Sequence, residues 1–181
     1  MRYTLTPFAH ETDMATYVEK YVDIAQFLTC CQACPCYNQA WSCPPYDFDP
    51  MDIWNAYQRI QIYGYRIDYH DIADEDFETG KTYMESVLWQ VKDQVSAELF
   101  AKEKELPGSL SLSAGTCHLC DRCTKPDGEP CRNPEVMRYS IESLGGNVGT
   151  TLSDFCGIDL EWVEDGKLPS HYVLCGALLM P

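Results

Sequence analysis

Four cysteines pose the chemical question. Cys117, Cys120 and Cys123 are spaced by two residues each, and Cys131 follows after seven more. Three thiolates at that pitch reach adjacent corners of an iron–sulfur cubane from one tight loop, and a more distant fourth closes the last corner. Soft sulfur ligands also suit zinc. Structural zinc, however, usually draws on two separate Cys-x-x-Cys pairs. Here Cys120 belongs to two overlapping pairs, which favours the cubane. A second group lies far upstream: Cys30, Cys31, Cys34, Cys36 and Cys43, with two Cys-Pro steps and with Tyr37, Trp41 and Tyr46 between or just beyond them. Proline after a ligand fixes the chain direction and removes a backbone donor. The aromatics suit shielding of a cluster and plain core packing equally.

The elements that must position these groups can be read from periodicity. Tyr17, Tyr21, Ile24 and Leu28 recur on one helical face and predict a helix over 12–28 that runs into the first cysteines. Asp49 followed by Pro50 reads as an N-cap and first helical residue, opening a short helix through Trp54 and Tyr57. The stretch 59–70 is rich in Ile and Tyr and predicts a strand. Its apolar residues fall on both parities, so it is either buried on both faces or bulged near Gly64. An acidic loop is expected over 71–78. Met84, Leu88, Val91, Val95 and Leu99 form the stripe of a long helix over 81–104, stopped by Pro107-Gly108. A short strand over 110–113 delivers the chain to the second cysteines. A helix over 134–144 is expected next, capped by Asn133, with Arg138 and Glu142 one turn apart as a pair and its N-terminus facing a cluster. Gly145-Gly146-Asn147-Val148-Gly149 reads as a helix-end turn, and a closing strand spans 171–180. Together these predict one small α/β domain over 1–181: a mixed sheet with packed helices and two cysteine-rich, cluster-binding loops at 30–46 and 114–134.

Two long motifs carry a family resemblance. Cys31 to Tyr46 reads C-x-x-C-P-x-Y-x-x-x-W-S-C-P-P-Y. Downstream stand A-G-T-C-H-L-C-D-R-C, G-E-P-C-R-N-P and R-Y-S-I-E-S-L-G. Over roughly residues 20 to 180 this resembles the predicted metal-binding proteins (domain of unknown function 2284). The resemblance implies that Cys31, Cys34 and Cys43 are family positions of the first motif. It likewise marks Cys117, Cys120, Cys123 and Cys131 of the second, followed by Arg132, Pro134, Arg138, Ser140, Glu142 and Gly145. Cys30 and Cys36 are additions of this chain. The family name carries metal binding and no reaction.

Composition narrows the function. The chain has 181 residues, 11 cysteines and a net charge of −15. Such acidity disfavours nucleic acid and anionic lipid and fits solubility or docking to a basic redox partner protein. No signal-peptide pattern and no membrane-length apolar run is present, so a cytoplasmic protein is expected. In that compartment clustered thiols point to metal or redox chemistry rather than disulfides. The expectation is an iron–sulfur protein with two [4Fe-4S] clusters, held by Cys31, Cys34, Cys36 and Cys43 and by Cys117, Cys120, Cys123 and Cys131, acting in electron transfer in anaerobic-type metabolism. Cys30 competes with Cys36 for the fourth corner of the first cluster. If neither fills it, the open iron would serve a small-molecule enzyme, with Arg138, Glu142, His118 or His171 as its acid–base or binding groups. Zinc holding the loops of an interaction module is the third reading.

Overall fold

A computed structural model describes residues 2–72 and 76–181. Four strands, β1 (Arg2–Asp13), β2 (Arg59–His70), β3 (Leu110–Leu112) and β4 (His171–Met180), form one sheet in the order β1-β2-β4-β3. Five helices surround it: α1 (Met14–Tyr21), α2 (Ile24–Gln32), α3 (Pro50–Asn55), α4 (Phe77–Glu105) and α5 (Val148–Cys156); α2 buries no residue and lies against the turn Glu142–Leu144 rather than the sheet. A sheet with packed helices in one domain is what the sequence predicts. All strand pairs are antiparallel. An isolated parallel bridge joins Ser113 to Ser140 just beyond β3.

The sheet is covered on both faces, which explains the double parity of β2. Tyr63, Tyr65, Ile67 and Tyr69 pack with Met84, Val87, Val91, Val95 and Leu99 of α4. Ile60 and Ile62 face the other way, onto Tyr17 of α1, Trp54 of α3 and Leu152 of α5. The strand needs no bulge: its register against β1 and β4 is unbroken. Gly64 marks where α5 presses closest, because a Cβ there would stand 3.0 Å from Cys156 Sγ and 3.1 Å from Leu152 Cδ2.

Several local expectations are corrected. The predicted helix over 12–28 is two helices, preceded by a strand that the sequence did not announce. β1 alternates exposed and half-buried residues and carries Pro7, as an edge strand tolerates. Asp13 caps α1 through Thr16 N at 2.8 Å. The chain then leaves the helix because Val22 bridges Gly146, and Asp23 N donates to the Gly145 carbonyl at 2.9 Å. Asp23 starts α2 by accepting from Gln26 N at 2.9 Å. Loss of such a cap costs about 1 kcal/mol. Asp23→Ala is therefore expected to lower stability by about that amount in urea unfolding, with an unchanged m-value.

The helix predicted over 134–144 does not form. Asn133 to Met137 makes one turn, the next residues are extended, and Glu142–Leu144 is a single 3-10 turn. The backbone is committed elsewhere: Ser113 N donates to the Tyr139 carbonyl at 2.7 Å, and Ser113 Oγ donates to the Arg138 and Tyr139 carbonyls. Arg138 is drawn to Glu103 of α4, not to Glu142. Gly145, with φ of +89°, ends that 3-10 turn rather than an α-helix, and the chain then leads into α5, capped by Asn147. The acidic loop expected over 71–78 falls partly on residues 73–75, outside the described residues, and its last two residues already belong to α4, capped by Asp76.

Candidate metal centres

The first cysteine group begins on a helix rather than in a loop. Cys30 and Cys31 occupy the last turns of α2, and the chain leaves it through Cys34 N donating to the Cys31 carbonyl at 3.0 Å. Cys30 and Cys34 are exposed, whereas Cys31 and Cys36 are half-buried and Cys43 is buried. Cys36 N donates to Cys34 Sγ at 3.4 Å, which folds the Cys-Pro-Cys step onto its own sulfur. Burial pushes the Cys31 thiol up to about 11, reinforced by Cys43, Cys34 and Glu142. Burial also raises Cys36, with Cys34 and Cys43 adding to it. Cys31 and Cys36 thus both lie within reach of the charge of Cys34 and Cys43, and Cys31 also of that of Cys30. A bound cation relieves that repulsion, because thiolate rather than thiol is the metal ligand.

The second group is gathered by one loop. Cys117, Cys120, Cys123 and Cys131 all line one small cavity, with Trp41 and Asn133 beside them. Asn133 was expected to cap a helix. It instead donates its side-chain amide to Cys120 Sγ at 3.1 Å and its backbone N–H to Cys131 Sγ at 3.4 Å. Amide donors aimed at sulfur fit anionic, metal-bound thiolates, whose charge they disperse. Burial raises the Cys117 thiol, and the other three cysteines raise it further. Among the described residues no three His, Cys, Asp or Glu side chains close tightly enough to hold a lone ion.

The fold brings the two groups together, which the sequence could not reveal. Cys117 N donates to Ser42 Oγ at 2.9 Å, and Thr116 Oγ1 lies 3.2 Å from Cys43 Sγ. Trp41 Nε1 donates to Thr124 Oγ1 at 3.2 Å and to the Glu129 carbonyl at 3.1 Å. Lys125 Nζ reaches back from the second loop to the Cys43 and Pro45 carbonyls, at 2.5 and 2.9 Å. The aromatics of the first motif therefore act partly as clamps: Tyr46 donates its hydroxyl to the Ser42 carbonyl at 2.7 Å and stacks on Phe48.

Of the polar candidates, His171 is a structural residue. It is buried, with Nε2 against the Asp159 carbonyl and Nδ1 against Ser170 Oγ, both at 3.0 Å. His118 is tied to Asp93 and lies edge-on to Trp89. Arg138 is occupied by Glu103. Glu142 is half-buried, and desolvation pushes its carboxyl up from the ordinary carboxylate range. Lys92 escaped the sequence reading, although the signal was there: a lysine four residues after Leu88 on the apolar stripe of the long helix. It is 5% exposed, and its Nζ donates to the Thr116 carbonyl at 2.6 Å. Burial depresses its pKa, opposed by the nearby Glu142, Cys117, Cys36 and Cys43.

No helix among the described residues is long and apolar enough to cross a membrane. No curated protein and no solved structure matches the chain. A family profile does, over residues 19–180, and it covers both cysteine groups and everything between them. The chain belongs to the family described as predicted metal-binding protein (DUF2284).

Proposed function

We propose that this is an electron-transfer protein with two [4Fe-4S] clusters, one held by Cys31, Cys34, Cys36 and Cys43, the other by Cys117, Cys120, Cys123 and Cys131. The observation that carries the reading is the stitching of the two ligand loops through Ser42, Thr116 and Lys125. Neighbouring ligand loops suit electron exchange between two centres; a single structural ion would not call for a second thiol group beside it. When bound, each cluster supplies a one-electron redox couple. The chain's own residues tune it. Asn133 donates to two sulfurs of the second group, and Lys92 places a buried positive charge near Cys36, Cys43 and Cys117. Both favour the more reduced, more negative state. The net charge of −15 supplies long-range attraction for a basic redox partner.

Anaerobic purification followed by iron and sulfide quantification and electron paramagnetic resonance of the reduced protein tests this. The expected result is roughly eight iron and eight sulfide per chain, the content of two cubanes. Two interacting spins are expected, because the ligand loops touch. A colourless protein with stoichiometric zinc and no sulfide would sink the reading and support the zinc-held interaction module instead.

A second reading has its own observation. A cavity of about 220 Å³ lies against Cys117 and Arg138, and Ser96 Oγ and His118 Nδ1, both on its wall, are buried without hydrogen-bond partners among the described residues. Orphaned polar atoms beside a candidate metal centre are what a substrate would satisfy. Substrate turnover by the metal-loaded protein would favour this enzyme reading; reversible reduction without turnover favours the carrier.

A further inference from the structure

The metal centres leave one buried polar arrangement unexplained. Lys92 reaches inward from α4, and its Nζ has one hydrogen-bond acceptor among the described residues, the Thr116 carbonyl. An ammonium has three protons to give. It also lies over the face of Trp89, 4.8 Å from the ring centroid. Opposite, Glu142 enters from the 3-10 turn, and its Oε2 is buried with no partner among the described residues. Lys92 Nζ and Glu142 are not joined in an ion pair among the described residues. An unsatisfied buried polar atom costs about 1–3 kcal/mol, so the unpaired Glu142 Oε2, beside a Lys92 ammonium with protons still to give, invites a third party.

Gly115 keeps that space open. Its φ is +77°, a region that disfavours a side chain, and a Cβ there would stand 3.5 Å from Lys92 Nζ and 3.7 Å from Glu142 Oε1. Lys92 Nζ and Glu142 Oε1 therefore stand within about 7 Å of each other beside the bare Cα of Gly115. A cavity of about 240 Å³ opens there, with Leu88, Val173 and Leu174 among its walls. That is smaller than the roughly 300 Å³ at which drug-sized sites begin. The occupant is a small molecule.

We propose that this cavity binds a short 2-hydroxy- or 2-amino-carboxylate, with its carboxylate on the Lys92 ammonium and its hydroxyl or ammonium group donating to Glu142. Two protein groups this close on one cavity wall are satisfied together by ligand groups on the same or adjacent atoms, as around the 2-carbon of such an acid. The apolar walls take its short side chain. Lys92 supplies the positive charge that a carboxylate needs in so acidic a protein, and Glu142 rejects a simple carboxylate that offers it no donor, since its own oxygen then stays unpaired. The site is built by α4, the segment after β3 and the 142–144 turn, and it needs no metal ligand to complete it.

Calorimetric titration of the full, anaerobically prepared, metal-loaded chain with lactate, alanine and propionate tests the proposal. Lactate or alanine is expected to bind one per chain, about tenfold or more tighter than propionate, the worth of one hydrogen bond to a charged group. Where both bind, alanine displaces lactate, since one cavity takes either. Lys92→Met, with metal content and near-ultraviolet dichroism unchanged, should weaken binding about tenfold or more. Glu142→Leu should erase the preference over propionate. Should these variants fail to fold, the preference over propionate and the single stoichiometry in the unmodified chain still decide. Absence of saturable heat with lactate and alanine up to about 10 mM, an affinity too weak for two charge-assisted contacts, overturns the proposal. So does equal binding of propionate, or binding that survives Lys92→Met while changing the visible spectrum of the metal centres.

Discussion

Cys123→Ser is expected to remove the second metal centre while sparing the first. About half of the iron and sulfide should be lost, together with one of the two reduced-state signals, if each group holds one cubane. The reason lies in how little else orders the loop. Between β3 and Ser140 its regular structure is a single 3-10 turn, Lys125–Asp127, and its cysteines are half-buried rather than packed in the core. Ligation of a structural metal can supply on the order of 10 kcal/mol of folding free energy. Without it, Trp41, Thr124 and Lys125 are left to hold the loop, so limited proteolysis should cut between Cys117 and Cys131 in the variant and not in the parent. The same experiment on the first group separates its candidate ligands. Cys36→Ser should alter the spectrum of the first centre, because Cys36 is half-buried and senses Cys34 and Cys43. Cys30→Ser should leave it unchanged: Cys30 is exposed like Cys34, but Cys34 accepts from Cys36 N and its charge reaches both Cys31 and Cys36, whereas that of Cys30 reaches Cys31 alone. Full metal retention in Cys123→Ser, or loss of the first centre in Cys30→Ser, would reject this ligand assignment.

The second large effect is structural. Arg138 and Glu103 form a pair whose side chains are each 14% exposed. Glu103 also accepts from Ser111 N at 2.7 Å and Ser111 Oγ at 2.6 Å, while Arg138 also donates to the Glu135 and Met137 carbonyls. The pair thereby clamps α4, the sheet edge at β3 and the segment leading to Glu142. Removing one partner of a buried pair leaves an uncompensated charge and costs about 3–5 kcal/mol. Arg138→Met is expected to lower stability by about 3 kcal/mol at neutral pH, the lower end of that range because some solvent reaches the pair.

The pH dependence has a definite sign. Burial alone would raise the Glu103 carboxyl, but hydrogen bonds from Arg138 and Ser111, and the Arg138 charge, hold it below its ordinary value of 4.5. A carboxyl depressed in the folded state stabilises that state fully above its unfolded pKa. The contribution is lost as pH falls through the folded value. The unmodified chain should therefore lose this contribution on acidification below 4.5, whereas Arg138→Met should show little of that loss. Urea unfolding across an acidic pH series, read as the difference between the two proteins so that acid loss of metal cancels, measures it. A difference that stays constant through the titration of Glu103 would refute the linkage.

How much of this could be read from the chain depends on range. β2 and β4 match their expected spans residue for residue. The core of α4 was legible too, because a strand buried on both faces and a long helix write their periods directly into sequence. The cap at Asp49–Pro50 was equally local. β1 was not legible, since an edge strand with one exposed face and a proline shows little hydrophobic contrast. The break between α1 and α2 was hidden because it is imposed by Gly145 and Gly146, more than a hundred residues away, while the local periodicity runs straight through it. The 134–144 segment carries a good helical pattern that lost to long-range bonds from Ser113 and Glu103, a tertiary override of propensity.

For the site, the sequence by itself determined which sulfurs are candidates. Ligand spacing is a property of adjacent residues, and Cys117, Cys120, Cys123 and Cys131 converge on one cavity as their spacing implies. Only the tertiary structure decided what surrounds them. Ser42 and Thr116 join two loops that are distant in sequence. Asn133 serves sulfur instead of a helix. Lys92 and Glu142, fifty residues apart, face each other across the bare Cα of Gly115. Those contacts depend on where the sheet places β3 and α4 relative to the 142–144 turn, and no periodicity or local spacing encodes that distance.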